Sequence, residues 1–290
     1  MDIIVLVKQV PDTKAVTADA MKEDGTVNRA ALPAIFNPDD LNALELALQV
    51  KDRYGGTVTV MTMGPPRASE ILREALFRGA DRAVLLADKR FAASDTLATS
   101  LTLAAAIHKI DKFNLVVCGR QAIDGDTAQV GPQTAEKLDI PQITYVDAVI
   151  WIEDKRIAVR RALDPGYEII ESSLPCLITV MGDCNYPRTA SAKRMMKLKK
   201  ARSTAELKRE EPETWEPARA ALDERGLLIE EWNADFIGLP PGVCGQAGSP
   251  TLVKKIESVV LKGGDFKYIP PTEEGISSLI DELIREHTLD

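Results

Sequence analysis

The feature that most constrains this chain is an alternation of short apolar runs with helix-patterned segments, kept over roughly the first 190 residues. Residues 3–10 (IIVLVKQV) form an apolar run of the buried-strand kind. Asp39-Asp40 then opens a segment in which Leu41, Leu44, Leu48 and Val50 recur near the helical period, and Gly55-Gly56 stops it. By the same reading 57–63, 82–87 and 114–120 are strands. Segments 68–80, 94–110 and 131–138 are helices, the second with Ser94 or Asp95 as N-cap. Strands separated by helices of this length predict an α/β fold with a doubly wound, mostly parallel sheet.

The pattern changes after residue 145. Residues 146–181 alternate over short segments with turns at Glu153-Asp154 and Asp164-Pro165-Gly166, which suits antiparallel strands at the sheet edge. From Asn185 onward the sheet-like pattern ends. Nine Lys or Arg and a single acid, Glu206, occupy 188–209, and a proline-containing polar stretch and the glycine-rich GVCGQAGSP follow. The final helix, 272–287, carries Ile276, Leu279, Ile280, Leu283 and Ile284 on one face. A core over 1–186, a basic segment over 187–210 and an extended C-terminal arm over 211–290 are therefore expected. The terminal helix of that arm suits packing on a partner subunit.

Composition narrows the function. The net charge is −8, which disfavours general nucleic-acid binding. The longest apolar stretches fall short of the ~20 residues that span a bilayer, so no membrane insertion is expected. An N-terminus with Asp2, and without a basic region or cleavage site, predicts a cytoplasmic protein. Four scattered cysteines and two histidines, His108 and His287, give neither a metal spacing nor a nucleophilic triad. If electrons or groups are transferred, a bound cofactor does it.

In an open parallel sheet, ligands bind beyond the C-terminal ends of the strands, at the topological switch point. The candidates collect there. Lys8 to Asp12 follow the first strand, Asn37-Pro38-Asp39-Asp40 open one helix, Met63-Gly64-Pro65 follow another strand, and Ser94-Asp95-Thr96 open a further helix. Gly119 to Gly131 (GRQAIDGDTAQVG) supply backbone amides, hydroxyls and carboxamides ahead of a helix start able to hold phosphate. Singly, each has a plainer reading as a turn, a helix cap or a solvated basic face. Together at one sheet edge they point to a nucleotide. Neither GxGxxG after the first strand nor GxxxxGK[ST] is present, which disfavours an ordinary Rossmann dehydrogenase.

These residues also carry a resemblance. VLVKQVPD (5–12), FNPDDLNALELAL (36–48), MTMGPP (61–66), LREALFRGADRAVLL (72–86), SDTLATSLTLAAAI (94–107), VVCGRQAIDGDTAQVGPQTAEKL (116–138) and PCLITVMGDCNYPRTASAKRMMKLKKA (175–201) resemble the beta (small) subunit of electron-transfer flavoproteins. The resemblance implies an adenine-nucleotide-binding type of α/β core and a heterodimer with an alpha subunit that holds an FAD. It places a nucleotide at Leu6, Asn37, Pro38, Asp39, Asp40, Met63, Gly119, Arg120, Gln121, Ala122, Ile123, Asp124, Gly125, Asp126, Thr127, Ala128, Gln129 and Val130. It places docking of an acyl-CoA or other flavin dehydrogenase at Pro187, Arg188, Ala192, Met195 and Met196, with Ala192 where the family's loop has a leucine anchor.

Two branches of that family are known. In one the nucleotide is a structural AMP. In the other it is a second FAD that accepts hydride from NADH and splits the electron pair, with ferredoxin or flavodoxin as the low-potential acceptor. Val10-Pro11-Asp12, the run from Ser94 to Thr99, Gly125 and Gly248-Ser249-Pro250-Thr251 resemble the bifurcating, nitrogen-fixation-associated branch. That resemblance adds Asp95, Thr96 and Thr99 to the cofactor site. The flavin, rather than any side chain, then carries the chemistry, and FAD is expected with AMP as the alternative.

Overall fold

The computed structural model describes residues 1–12, 32–252 and 267–285. The chain opens with β1 (Asp2–Leu6), and β2 (Gln9–Pro11) pairs antiparallel with β3 (Ala34–Phe36) in a small separate sheet. Then come α1 (Pro38–Tyr54), β4 (Thr57–Met63), α2 (Ser69–Arg78), β5 (Arg82–Leu86), α3 (Thr96–His108), β6 (Leu115–Gly119) and α4 (Val130–Leu138). After them run β7 (Gln142–Glu153), β8 (Arg156–Leu163), β9 (Gly166–Ser173) and β10 (Cys176–Val180). The remainder holds α5 (Ala192–Leu198), β11 (Arg202–Ser203), α6 (Thr204–Glu210), α7 (Trp215–Glu224), β12 (Leu228–Trp232) and α8 (Glu273–Arg285).

Ten strands form one sheet in the order β11-β12-β5-β4-β1-β6-β10-β7-β8-β9, parallel from β11 to β7 and antiparallel from β7 to β9. The period-2 geometry of β1 shows why two layers of helix are needed. Ile3 and Val5 pack with Leu44, Leu48 and Leu72 of α1 and α2, whereas Ile4 and Leu6 pack with Leu103 and Ile107 of α3 and Ala135 of α4. The path goes outward from β1 through β4 to β5, then returns to β6 on the other side of β1. The switch point lies between β1 and β6.

Three expectations are corrected. The run 3–10 is not one strand. It leaves the sheet after Leu6 because α1 claims the backbone of Lys8: its N–H donates to Asp40 Oδ2 at 2.8 Å and its carbonyl accepts from Asn37 N–H at 3.0 Å. Segment 176–180 is not part of the antiparallel edge. It is β10, wholly buried, inserted in parallel between β6 and β7, as suits a continuous apolar run. The sheet does not end near residue 185 either. β12 pairs in parallel with β5, its Ile229 and Trp232 buried, while the outward Glu230 pairs with Arg82.

Helix α8 forms where the periodicity placed it, with Thr272 Oγ1 accepting from Gly275 N–H at 3.2 Å. Its apolar stripe is open, Ile276 being 52% and Ile280 44% exposed. His287 lies outside the described residues. No helix among the described residues is long and apolar enough to cross a membrane.

Candidate nucleotide site

The switch-point crevice is built around the first turn of α1. Asn37 is the N-cap residue, yet its side chain does not cap the helix. Instead it reads the loop after β6: Nδ2 donates to Gln121 O at 2.8 Å and Oδ1 accepts from Ile123 N–H at 3.1 Å. Pro38 fills the first helical position, where a missing N–H costs nothing. Asp40 is buried and ties the ends of the two switch-point strands, accepting from Lys8 N–H and, at 2.9 Å, from Gly119 N–H. Burial pushes its carboxyl up to about 7 although both amides favour the charged form. Burial also raises Asp39, against the opposing pull of Arg120.

This close approach dictates two glycines. A Cβ at Gly119 would lie 2.6 Å from the Asp39 carbonyl carbon, and one at Gly182 would lie 2.9 Å from Asp39 Oδ1. Gly182 is a site residue that the sequence reading missed, and its only signal was a glycine two residues beyond the strand. Leu6 ends β1 with its side chain in the core, and Met63 ends β4 half-buried.

The loop from Gly119 to Val130 has two different halves. In the first, Arg120 N–H donates to Val180 O at 2.8 Å, Asp124 pairs with Lys8 at 2.6 Å, and Gly125 and Asp126 amides both turn back to Ala122 O. In the second, the amides of Thr127, Ala128, Gln129 and Val130 have no protein acceptor among the described residues. Asp126 and Ala128 adopt left-handed conformations (φ 49° and 52°), and Gln129 is right-handed. Alternation of this kind turns successive N–H groups to one side and makes an anion-holding nest. A Cβ at Gly131 would meet Thr179 at 2.8 Å and Cys118 at 2.9 Å, so α4 presses its start directly onto the sheet.

Beside the nest stands the start of α3, where Thr96 Oγ1 donates to Gln129 Oε1 at 3.1 Å. Thr99 lies half-buried one turn further on. Asp95 caps the helix, its Oδ1 accepting from Ala98 N–H at 2.9 Å, while its Oδ2 accepts from Thr251 N–H and Oγ1. Asp95 N–H donates to Ser249 Oγ, and Ser94 Oγ accepts from Gly245 N–H. Residues 245–251 of the arm thus clasp the start of α3. Thr251 and Ser249 were singled out in the sequence by resemblance alone, without this contact.

The crevice fits a polar, phosphate-bearing ligand on its own terms. Besides the free amides of the nest, Asp39 Oδ2 and Arg120 Nε are buried without a hydrogen-bond partner, 3.6 Å from each other. Its other charged groups, Lys8, Asp40, Asp124 and Asp126, are engaged with protein partners, so it offers binding and orientation rather than proton transfer.

The expected docking residues lie elsewhere, on α5 and the chain before it. Met196 is 73% and Met195 42% exposed, and Ala192 begins the helix at the surface. Arg188 is turned inward, bonded to Glu45 and Asp52 of α1. Its carbonyl accepts from Arg78.

Comparison with known proteins agrees with this geometry. The electron transfer flavoprotein domain model matches residues 24–212. The chain is 50% identical, over the full length of both, to the electron transfer flavoprotein subunit beta of Thermoanaerobacterium thermosaccharolyticum. It is 46% identical, again over both full lengths, to the caffeyl-CoA reductase-Etf complex subunit CarD of Acetobacterium woodii. To the protein FixA of Sinorhizobium fredii it is 41% identical over 98% of this chain and 92% of that one. The chain belongs to the electron transfer flavoprotein family, among its beta subunits.

Proposed function

We propose that this chain binds FAD in the switch-point crevice and works in the cytoplasm as half of a heterodimer with an alpha subunit. In that heterodimer it oxidises NADH and divides the electrons between a ferredoxin or flavodoxin and the alpha-subunit FAD, which serves a flavin dehydrogenase such as an acyl-CoA dehydrogenase. The observation that carries this reading is the Thr96–Gln129 contact, which sets the start of α3 against the nest before α4. Two helix N-termini then face one place, which suits the two phosphates of a dinucleotide. Full-length similarity to CarD and FixA supports the same branch.

FAD, when bound, supplies hydride acceptance and release of electrons one at a time. This chain's residues hold it. Asn37 and Asp40 fix the loop around the adenosine end, Thr127 to Val130 offer amides to phosphate, and Arg120 and Lys8 bring positive charge to the crevice. One observation favours the second reading, a structural AMP in an electron-relaying subunit: the Asp95 carboxylate is already consumed by Ala98 and Thr251.

Denaturing the purified heterodimer decides between them. Two FAD and essentially no AMP should be released, and NADH should bleach the flavin absorbance anaerobically. One FAD with one AMP would establish the relay instead.

A further inference from the structure

Helix α1 does more than open the crevice. Asn42, Glu45, Gln49 and Asp52 recur at helical spacing along one flank, and that flank grips the chain leading into α5. Asn42 and Asn185 bond reciprocally: Asn42 Nδ2 donates to Asn185 O at 2.8 Å, and Asn185 Nδ2 donates to Asn42 O at 3.0 Å. Glu45 is 5% exposed, and its carboxylate accepts from Arg188 N–H at 3.0 Å, Arg188 Nε at 2.8 Å and Gln49 at 3.0 Å. Burial opposes its charge, but the Arg188 contacts outweigh this and hold the carboxyl below its ordinary value. A buried carboxylate satisfied this fully fixes its partner's position.

What it fixes is a surface. Beyond Arg188, the exposed Met195 and Met196 stand among Lys193, Lys197, Lys199 and Lys200, in a protein whose net charge is −8. Adaptable apolar side chains ringed by cations suit a protein partner with an acidic rim around an apolar contact.

We propose that Asn42 and Glu45 are positioning residues for partner docking, through which α1 holds the Met195–Met196 surface at a set distance from the crevice. From Asn37 to Glu45 the helix rises about 12 Å, so one rigid rod carries both the crevice and one anchor of the docking segment, the other being α2, whose Phe77 and Leu76 carbonyls accept from Ser191 N–H and Arg194. The proposal rests on the reading of this segment as the dehydrogenase-docking surface. Neither side chain bonds to a crevice residue: Asn42 meets Asn185, and Glu45 meets Arg188 and Gln49.

The test uses the complete heterodimer carrying Glu45→Ala or Asn42→Ala. Flavin content should match wild type. Trypsin should cut after Lys193, Lys197, Lys199 or Lys200 roughly tenfold faster, because local opening exposes the segment. With the dehydrogenase that the wild-type heterodimer serves, KM should rise about tenfold at unchanged kcat, as when only a tenth of the molecules present a docking-competent segment. A merely structural role would leave that KM where it was. Glu45→Gln keeps one acceptor oxygen for Arg188 and should fall between, and it carries the decision with Asn42→Ala if Glu45→Ala does not assemble. Unchanged cleavage with unchanged KM overturns the proposal, as does a fall in kcat at constant KM. A wild type that releases AMP would overturn the FAD reading alone, because the trypsin and KM comparisons do not depend on which nucleotide is bound.

Discussion

The crevice and the arm's clasp on α3 are both held by aspartates that accept backbone N–H groups across long sequence separations, yet their carboxyls are pushed in opposite directions. Asp40 and Asp39 in the crevice are raised by burial. Where the arm first meets the core, just after β5, Asp88 is lowered to about 2, chiefly by Arg90, with Ala234 N–H adding to it. Asp95 is lowered because its contacts with Ala98 and Thr251 outweigh its burial. The difference separates two uses of the same side chain. At the clasp, charge is neutralised by the protein itself and the contact is complete. At the crevice, burial disfavours the charged form even at Asp40, which two backbone N–H groups reach, while the buried Asp39 Oδ2 and Arg120 Nε lack a hydrogen-bond partner, the arrangement that suits a binding site.

The largest way to break this contrast is Asp40→Ala, which leaves the buried Gly119 amide unpaired at about 1–3 kcal/mol and takes the acceptor from the part-buried Lys8 amide as well. Denaturant titration should show that loss, and gel filtration of the heterodimer should strip nucleotide from the variant. A midpoint equal to wild type would remove Asp40 from its role as the tie between β1 and β6. A smaller effect is expected from replacing Asp126 and Thr127 together by alanine. With at most one protein contact to lose, the Gln121–Asp126 bond, folding should barely change. Nucleotide affinity, measured by dialysis and release, should fall roughly 5- to 150-fold for two lost hydrogen bonds. Full retention would place the ligand elsewhere.

The mildest probe is pH, which should move the two regions oppositely. Between about 4 and 7 native Asp40 keeps a proton that the unfolded chain has lost, so its contribution to stability falls as pH rises through that window. Asp88 contributes fully above about 4 and loses that contribution as pH falls toward 2. Hydrogen exchange across pH 3–8 should therefore show residues 233–251 opening on the acid side, and Asp40→Asn should flatten the dependence on the neutral side. Parallel behaviour of both regions would erase the contrast.

Much of this was legible in the sequence where local pattern and burial agree. Strands β4, β5 and β6 and helices α1 to α4 follow from apolar period and glycine stops, and the crevice residues collect at the predicted sheet edge. The errors fall where tertiary contacts decide. Nothing local says that Lys8 will be taken by α1, which ends β1 early. The LIEEW of β12 reads as polar because Glu230 is matched by Arg82, 148 residues away in sequence. Arg188 falls in the segment that the resemblance assigns to docking, and nothing local says that its guanidinium pairs with Glu45 and Asp52. The amides of 119–131 are legible as phosphate partners but their nest geometry is not, since left-handed Asp126 and Ala128 are backbone states that their side chains do not announce.

The late pairing of β12 with β5 bears on biosynthesis. Until residue 232 has left the ribosome, β5 is a bare sheet edge whose unpaired N–H and C=O groups would accept any other extended chain. Its permanent neighbour arrives last because it lies some 140 residues downstream, a non-local pairing of the slow kind. Nascent chains that stall inside the basic segment would therefore carry an unguarded flank, beside an α3 start that residues 245–251 have not yet clasped. Their hazard is aggregation between copies.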